Sequence, residues 1–233
     1  MKVTLISGTN HKGSTYHIGR MLADKLTDSE NIAEVFLPKD MPCFCLGCAM
    51  CIIENEKSCP HSTRLEPITR LIDSADVLIF TSPVYAFHVT GAMKAFLDHY
   101  AYRWLSHRPE GKMFSKQGVC ISTAAGAGMK STIKDMRDSL SFWGVAKVYS
   151  YGISVQATSW TQVSEKKKAK IDKKTSSLAK AISKREGKLQ PTLKTKVFFN
   201  AMRRVNKQPW NPVDGDYWQE NGWMGSKRPW KKS

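Results

Sequence analysis

The chain has 233 residues, 41% of them apolar, enough for one large domain with a sizeable core or one domain plus an appendage. Its formal net charge of +16 is uneven, with 17 Lys/Arg against 14 Asp/Glu in residues 1–159 and 19 against 6 in residues 160–233. No apolar run reaches the roughly 18 residues of a membrane crossing, and an N-terminus that goes straight into a strand leaves no room for a signal peptide; a cytoplasmic protein is expected.

Val3, Leu5 and Ile6 read as a short apolar strand, followed by a polar turn from Ser7 to Gly13. Ser14 or Thr15 can cap the next helix, whose apolar residues Ile18, Met21, Leu22 and Leu26 recur at helical spacing. A strand, a Gly/Ser/Thr turn and a helix N-terminus together make an anion site, because unpaired backbone N–H groups and the positive end of the helix dipole converge there. The turn has neither the Gly-Lys-Ser/Thr of a Walker A loop nor a G-x-G-x-x-G fingerprint. An ordinary turn that binds nothing is the bland alternative.

A second strand is expected over 32–37, ended by Pro38, and then a long loop over 38–62. Leu65, Ile68, Leu71 and Ile72 mark a helix over 64–74. Residues 76–81 form a continuous apolar run, as in a strand covered on both faces, and Ser82-Pro-Val-Tyr85 breaks it. Thr90 can cap a helix carrying Met93, Phe96, Leu97, Tyr100 and Trp104. A fourth strand over 118–123, a flexible turn over 124–128, a helix through Met129, Ile133, Met136, Leu140 and Trp143, and a fifth strand over 145–153 follow. Strands alternating with helices imply a parallel sheet with helices on both faces. Ligands bind such sheets beyond the carboxyl ends of the strands, so the turns 7–15, 82–90 and 123–128 are the candidate site.

Ser-Gly-Thr-Asn-His-Lys-Gly-Ser-Thr after the first strand, Thr-Ser-Pro-Val-Tyr after the third, and Gly-Ala-Met-Lys-Ala-Phe-Leu-Asp-His beyond it resemble the flavodoxin-like NAD(P)H-dependent FMN reductases. The Cys-rich loop between them looks like that of the iron–sulfur flavoprotein branch. The resemblance covers roughly residues 1–155. It implies a three-layer α/β/α sandwich with a five-stranded parallel sheet in the order 2-1-3-4-5, an FMN cofactor, NAD(P)H as electron donor, and a homodimer with the flavin slot at the subunit interface. Carried onto this chain, it assigns Thr9, Asn10, His11, Gly13, Ser14 and Thr15 to the FMN phosphate. Pro83, Val84, Tyr85 and Phe87 would line the ribityl chain and ring edge, and Thr123, Ala124, Ala125 and Gly126 would face the pyrimidine side. His11 stands where relatives often carry Arg. Plain packing is the alternative for Tyr85 and Phe87. Hydride transfer to a flavin demands no acid–base residue, so none is assigned as catalytic; His88 is read as a local hydrogen-bonding group.

Five of the six cysteines lie in residues 43–59, spaced Cys43-x-Cys45-x2-Cys48-x2-Cys51-x7-Cys59. A reducing compartment disfavours disulfides, and short spacers let sulfurs converge on one face of a cubane cluster. Cys45, Cys48, Cys51 and Cys59 are the expected ligands of a 4Fe-4S iron–sulfur cluster, with Cys43 a spare. A structural zinc clip and a metal-free loop of redox or filler thiols stay open. Cys120 reads as a buried filler.

The expected domain boundary places a flavodoxin-like domain at 1–157 and a basic, helical and Trp-rich extension at 158–233. Ile171, Leu178 and Ile182 mark a Lys-rich helix over 160–187, and Leu193, Val197, Phe198, Ala201, Met202 and Val205 a second. The segment with Trp210, Tyr217, Trp218, Trp223 and Trp230 shows no helical period and is expected to wrap over the domain or a twin subunit. A solvated lysine face over apolar residues packed on the core is the favoured reading of the tail. An acidic electron-carrier protein or a small-molecule substrate are the expected partners, with weak association of the basic tail with a membrane surface left open; nucleic acid is not expected, since no recognition motif is present. Two rival functions are a non-enzymatic iron–sulfur/flavin electron carrier and a zinc-clipped nucleic-acid-binding module.

Overall fold

A computed structural model describes residues 1–231. Five strands, β1 (Val3–Ser7), β2 (Ile32–Phe36), β3 (Val77–Pro83), β4 (Gln117–Ala124) and β5 (Lys147–Ser154), form one parallel sheet in the order β2-β1-β3-β4-β5. This is the flavodoxin-like order.

Period-two alternation sorts the strand side chains between two cores. Leu78 and Phe80 of β3, Ile6 of β1 and Cys120 of β4 point into the first, with α3 (Ser62–Ser74), α4 (Gly91–Asp98) and α5 (Met129–Phe142) packed over them through Ile68, Ile72, Met93, Phe96, Met136 and Leu140. Val77 and Ile79, Val3 and Leu5, and Val119 and Ile121 point into the second. There α1 (Ser14–Asp24) contributes Ile18 and Leu22, and α6 (Glu165–Ser183) contributes Ile171, Leu178, Ala179 and Ile182. The Lys-rich helix thus completes the second helical layer, its lysines outward and its apolar stripe on the sheet. Cys120 is fully buried, as a filler should be.

A third core lies to one side. Phe199 of α7 (Leu193–Val205), Trp218 of α8 (Pro212–Glu220) and Trp223 close over Leu105 and Phe114. The Trp-rich end therefore wraps over its own domain, and part of it is helical. Pro212 at the helix start pre-sets φ, and Asp214 in the first turn complements the dipole. The period is hidden because the buried positions are Asp214, Gly215 and Trp218, a charge, a glycine and one aromatic.

Boundaries differ elsewhere. The helix after Thr90 ends at Asp98 and passes into a single 3-10 turn over Ala101–Arg103, so Trp104 leaves the helical stripe and stacks on Phe142 at 4.4 Å. Helix α1 is preceded by Gly13 in extended conformation, with no side-chain cap; Ser14 and Thr15 lie inside the first turn instead. The loop after β2 contains a one-turn helix, α2 (Met50–Ile53). No helix among the described residues is long and apolar enough to cross a membrane.

Candidate functional site

Strand register builds a stepped crest. Ser7, the last residue of β1, pairs with Thr81, while β3 runs on until Pro83 stands beside Thr123 of β4. The three turns leaving this edge are pinned to one another. Gly8 N–H donates to Thr81 O at 2.7 Å, and Thr90 Oγ1 donates to Gly8 O at 2.6 Å. A Cβ at Gly8 would stand 3.0 Å from Thr90 Oγ1 and 3.1 Å from Thr81 O, which is why the approach needs glycine. Thr90 Oγ1 also caps α4 by accepting from Met93 N–H at 3.1 Å. Thr123 joins all three turns: its carbonyl accepts from Val84 N–H at 2.9 Å and its hydroxyl shares a hydrogen bond with Thr15 Oγ1.

At the first turn, Asn10, His11 and Lys12 are exposed, and Ser14 and Thr15 are buried. Helix α1 has no acidic residue in its first turn, and no side chain among the described residues caps it. Its leading N–H groups are left for an anion or water. The donor chemistry therefore fits a phosphate, with the Ser14 hydroxyl as a further donor.

The second turn is a tight reversal in which Tyr85 and His88 exchange both backbone hydrogen bonds at 3.0 Å. Its central residues, Ala86 and Phe87, have φ of +47° and +66°, the left-handed region that costs a non-glycine residue about 1–2 kcal/mol. Helix α5 braces the turn: Ser131 Oγ donates to Phe87 O, and Asp135 Oδ2 accepts from Val89 N–H at 3.3 Å and pairs with His88 Nδ1 at 3.0 Å. His88 is thus a local hydrogen-bonding group. Gly128 starts α5 at φ +94°, where a Cβ would fall 2.6 Å from Val84 Cγ1. The outcome is that Tyr85 and Phe87, 53% and 65% exposed, stand out as bare aromatic faces. Backbone strain that holds apolar rings in solvent is a feature of binding sites rather than of packing.

The third turn is open. Ala125 and Gly126 are exposed, and a Cβ at Gly126 would meet nothing within 4 Å. Its base is fixed by Val155 N–H to Ala124 O at 2.9 Å and Ser154 Oγ to Ala125 O at 2.5 Å. A groove of about 840 Å³ between Phe87, the start of α5 and Gly152 opens beside it. All fourteen residues expected to hold a flavin thus lie on these three adjoining turns or on the strand and helix ends that flank them.

The cysteines are arranged differently. Cys51 and Cys59 are half-buried against the first core, with Cys43, whereas Cys45 and Cys48 are exposed. Among the described residues no three His, Cys, Asp or Glu side chains gather closely enough to hold a metal ion. Burial, followed by Cys59, Cys45 and Cys48, pushes the Cys51 thiol up to about 11, against the pull of Arg108. Beside Cys59 a cavity of about 440 Å³ is lined by Glu56, Glu66, Thr69, His99 and Tyr102. His99 donates from Nδ1 to Ala95 O at 2.7 Å and meets His61 Nδ1 at 3.1 Å through Nε2. Burial lowers its pKa. His99 closes the Gly-Ala-Met-Lys-Ala-Phe-Leu-Asp-His run and His61 follows Cys59 by two residues, but the sequence assigned neither a role.

The uncapped helix N-terminus, the bare aromatic faces and the open loop adjoin at the carboxyl edge of a parallel sheet, where open α/β proteins bind their ligands. Residues 1–159 match the model of the NADPH-dependent FMN reductases, and the chain belongs to that family of oxidoreductases. It is 31% identical to an iron–sulfur flavoprotein of Archaeoglobus fulgidus over 66% of this chain and 70% of that one. It is 30% identical to an iron–sulfur flavoprotein of Clostridioides difficile over 58% of this chain and 61% of that one. The fold is similar to an FMN-dependent NADH-azoreductase from Bacillus anthracis, with a TM-score of 0.53 at 13% identity, covering 77% of this chain and all of that one.

Proposed function

We propose that the chain binds FMN on the crest and uses it to pass electrons from NAD(P)H to a small-molecule or protein acceptor. Bound FMN supplies a ring that accepts hydride from a nicotinamide. The first-turn N–H groups of α1, with Ser14 and Thr15 and the Thr9–Gly13 turn around them, would hold the phosphate. Pro83, Val84, Tyr85 and Phe87 would keep water from one side of the ring, and the 123–126 backbone would offer hydrogen bonds at its edge. The observation that carries this reading is the uncapped α1 N-terminus joined through Thr123 to two exposed aromatic faces. The half-exposed rings ask for a cover, which a twin subunit would provide.

The same reading extends to a 4Fe-4S cluster on Cys45, Cys48, Cys51 and Cys59. Five thiols within 17 residues offer the soft donor set such a cluster needs, and two relatives are named as iron–sulfur flavoproteins. A loop with both groups suits a redox protein acceptor, and the basic surface of α6 suits an acidic one.

Anaerobically purified protein is expected to be yellow and to oxidise NADH or NADPH with a quinone or free flavin as acceptor. Ser14→Glu places a negative charge where the phosphate belongs and is expected to strip the flavin while leaving the fold intact by circular dichroism. A folded Ser14→Glu protein that stays fully yellow overturns the assignment.

A further inference from the structure

Helix α7 carries apolar residues on two opposite sides, and the fold uses one of them. Thr195, Phe199 and Asn206 are buried, with Phe199 in the third core. Leu193, Val197, Ala201 and Val205 recur at every fourth position and so share the other side. They stay in water: Leu193 is 78% exposed and Val197 60%. Trp210, exposed as well, follows beyond the helix end. A surface helix ordinarily turns polar residues outward; this one keeps an apolar stripe there.

Beside the stripe, α7, the end of α5 and the start of β5 enclose a furrow of about 890 Å³, lined by Phe142, Val148 and Phe198 together with Leu193 and Val197. Arg137, Lys147 and Lys194 line it too, and its one acidic residue, Asp138, is paired with Lys134 at 2.6 Å. Between Glu186 and Asp214 the chain holds six Lys and Arg and no acidic residue. Lys194, Arg204 and Lys207 among them are exposed. The furrow lies at the start of β5, the opposite edge of the sheet from the crest.

Charge of a single sign calls for an anionic occupant and disfavours a second copy, which would set cation against cation. The stripe's side chains offer no hydrogen-bonding group with which to specify a protein partner. A ridge and a furrow side by side demand matching relief from a folded surface, whereas fluid acyl chains fill both. Leu, Val and Trp flanked by Lys and Arg are also the residues of a helix lying in the plane of a bilayer surface. We propose that the α7 face docks on an anionic membrane surface. Leu193, Val197, Val205 and Trp210 enter the boundary between headgroups and acyl chains, and Lys194, Arg204 and Lys207 meet lipid phosphates.

The test uses the full FMN-loaded chain and flotation with two kinds of vesicle, phosphatidylcholine alone and phosphatidylcholine mixed with phosphatidylglycerol. The parent is expected to float with the mixed vesicles only, and less at high salt. Leu193→Ser with Val197→Ser should weaken binding about tenfold or more. Lys194→Gln with Arg204→Gln should weaken it about 25-fold, at about fivefold per cation. The same change of charge made on α6, Lys166→Gln with Lys173→Gln, should have a much smaller effect. FMN affinity should stay at the parent's value in all three, since the crest is remote. A parent that ignores the mixed vesicles overturns the proposal. Undiminished binding by the Leu193/Val197 variant overturns insertion of the stripe, and an equal loss from the α6 variant reduces the contact to diffuse charge and overturns the assigned face. A parent dimer that the Leu193/Val197 variant dissociates makes the stripe an interface between copies and overturns the membrane reading. If that variant loses its flavin and so its fold, Trp210→Ser takes its place, with weaker flotation expected and undiminished flotation overturning insertion.

Discussion

Phe87 concentrates the conflict between stability and function in a single side chain. It is exposed and has φ of +66°, so neither its burial nor its backbone favours phenylalanine there. Phe87→Gly removes the left-handed penalty of about 1–2 kcal/mol against a glycine entropy cost of about 0.5–1 kcal/mol. Urea unfolding of the flavin-free variant should therefore show stability equal to or slightly above the parent, while FMN titration shows affinity reduced about tenfold by loss of an aromatic wall. A variant that is strongly destabilised, with FMN affinity intact, would mean that Phe87 packs the fold. The break after the third strand was legible from Ser82-Pro-Val-Tyr85. The shape of the turn was not, because Ala-Phe carries none of the Asn-Gly signal that announces two left-handed residues.

At the scale of elements, the five strands were legible for a local reason. In the central strands β1, β3 and β4 alternate residues enter two separate cores, so both faces are buried and the run is nearly continuous, while the edge strands β2 and β5 are interrupted by Glu34 and Ser150. The α6 stripe was legible likewise. Helix α8 was not, because its inward face is built from Asp214, Gly215 and Trp218 and its chief polar partners lie more than 100 residues earlier. Such pairings leave no periodic trace. Trp218, fully buried, lies tilted against Phe199 with ring centres 4.7 Å apart and meets Trp223 edge to face at 5.5 Å. Trp218→Ala is expected to cost about 3–5 kcal/mol, read as a lower midpoint in urea. Because Leu105 and Phe114 share that cluster, the sheet signal should move with it in one transition. An early separate transition with the sheet midpoint unchanged would make the third core an independent appendage.

The whole molecule divides its labour along the sheet's carboxyl edge. The first turn is built for charge, with N–H groups and hydroxyls at the start of α1, and the second for aromatic contact, with strain supplied by Ala86 and Phe87 and bracing by α5. Thr123 couples them. The cysteine loop sits on the first core, and Asn211 of the C-terminal extension donates to Ile52 O within it at 2.8 Å. The crest itself was legible because its turns follow strand ends directly and carry runs of small and hydroxyl residues. The ligand geometry of the cysteines was not, since spacing states which sulfurs are near in sequence and leaves their burial open: Cys51 and Cys59 face the core while Cys45 and Cys48 face water.

The central claim is that the α1 N-terminus receives a phosphate, and calorimetric titration of the flavin-free protein with FMN and with riboflavin tests it most directly. The two ligands share the ring and the ribityl chain and differ only in the phosphate. Two charge-assisted hydrogen bonds of about 1.5–3 kcal/mol each correspond to at least a ~100-fold difference, so FMN is expected to bind about 100-fold or more tightly than riboflavin. Equal affinities for the two would contradict the account.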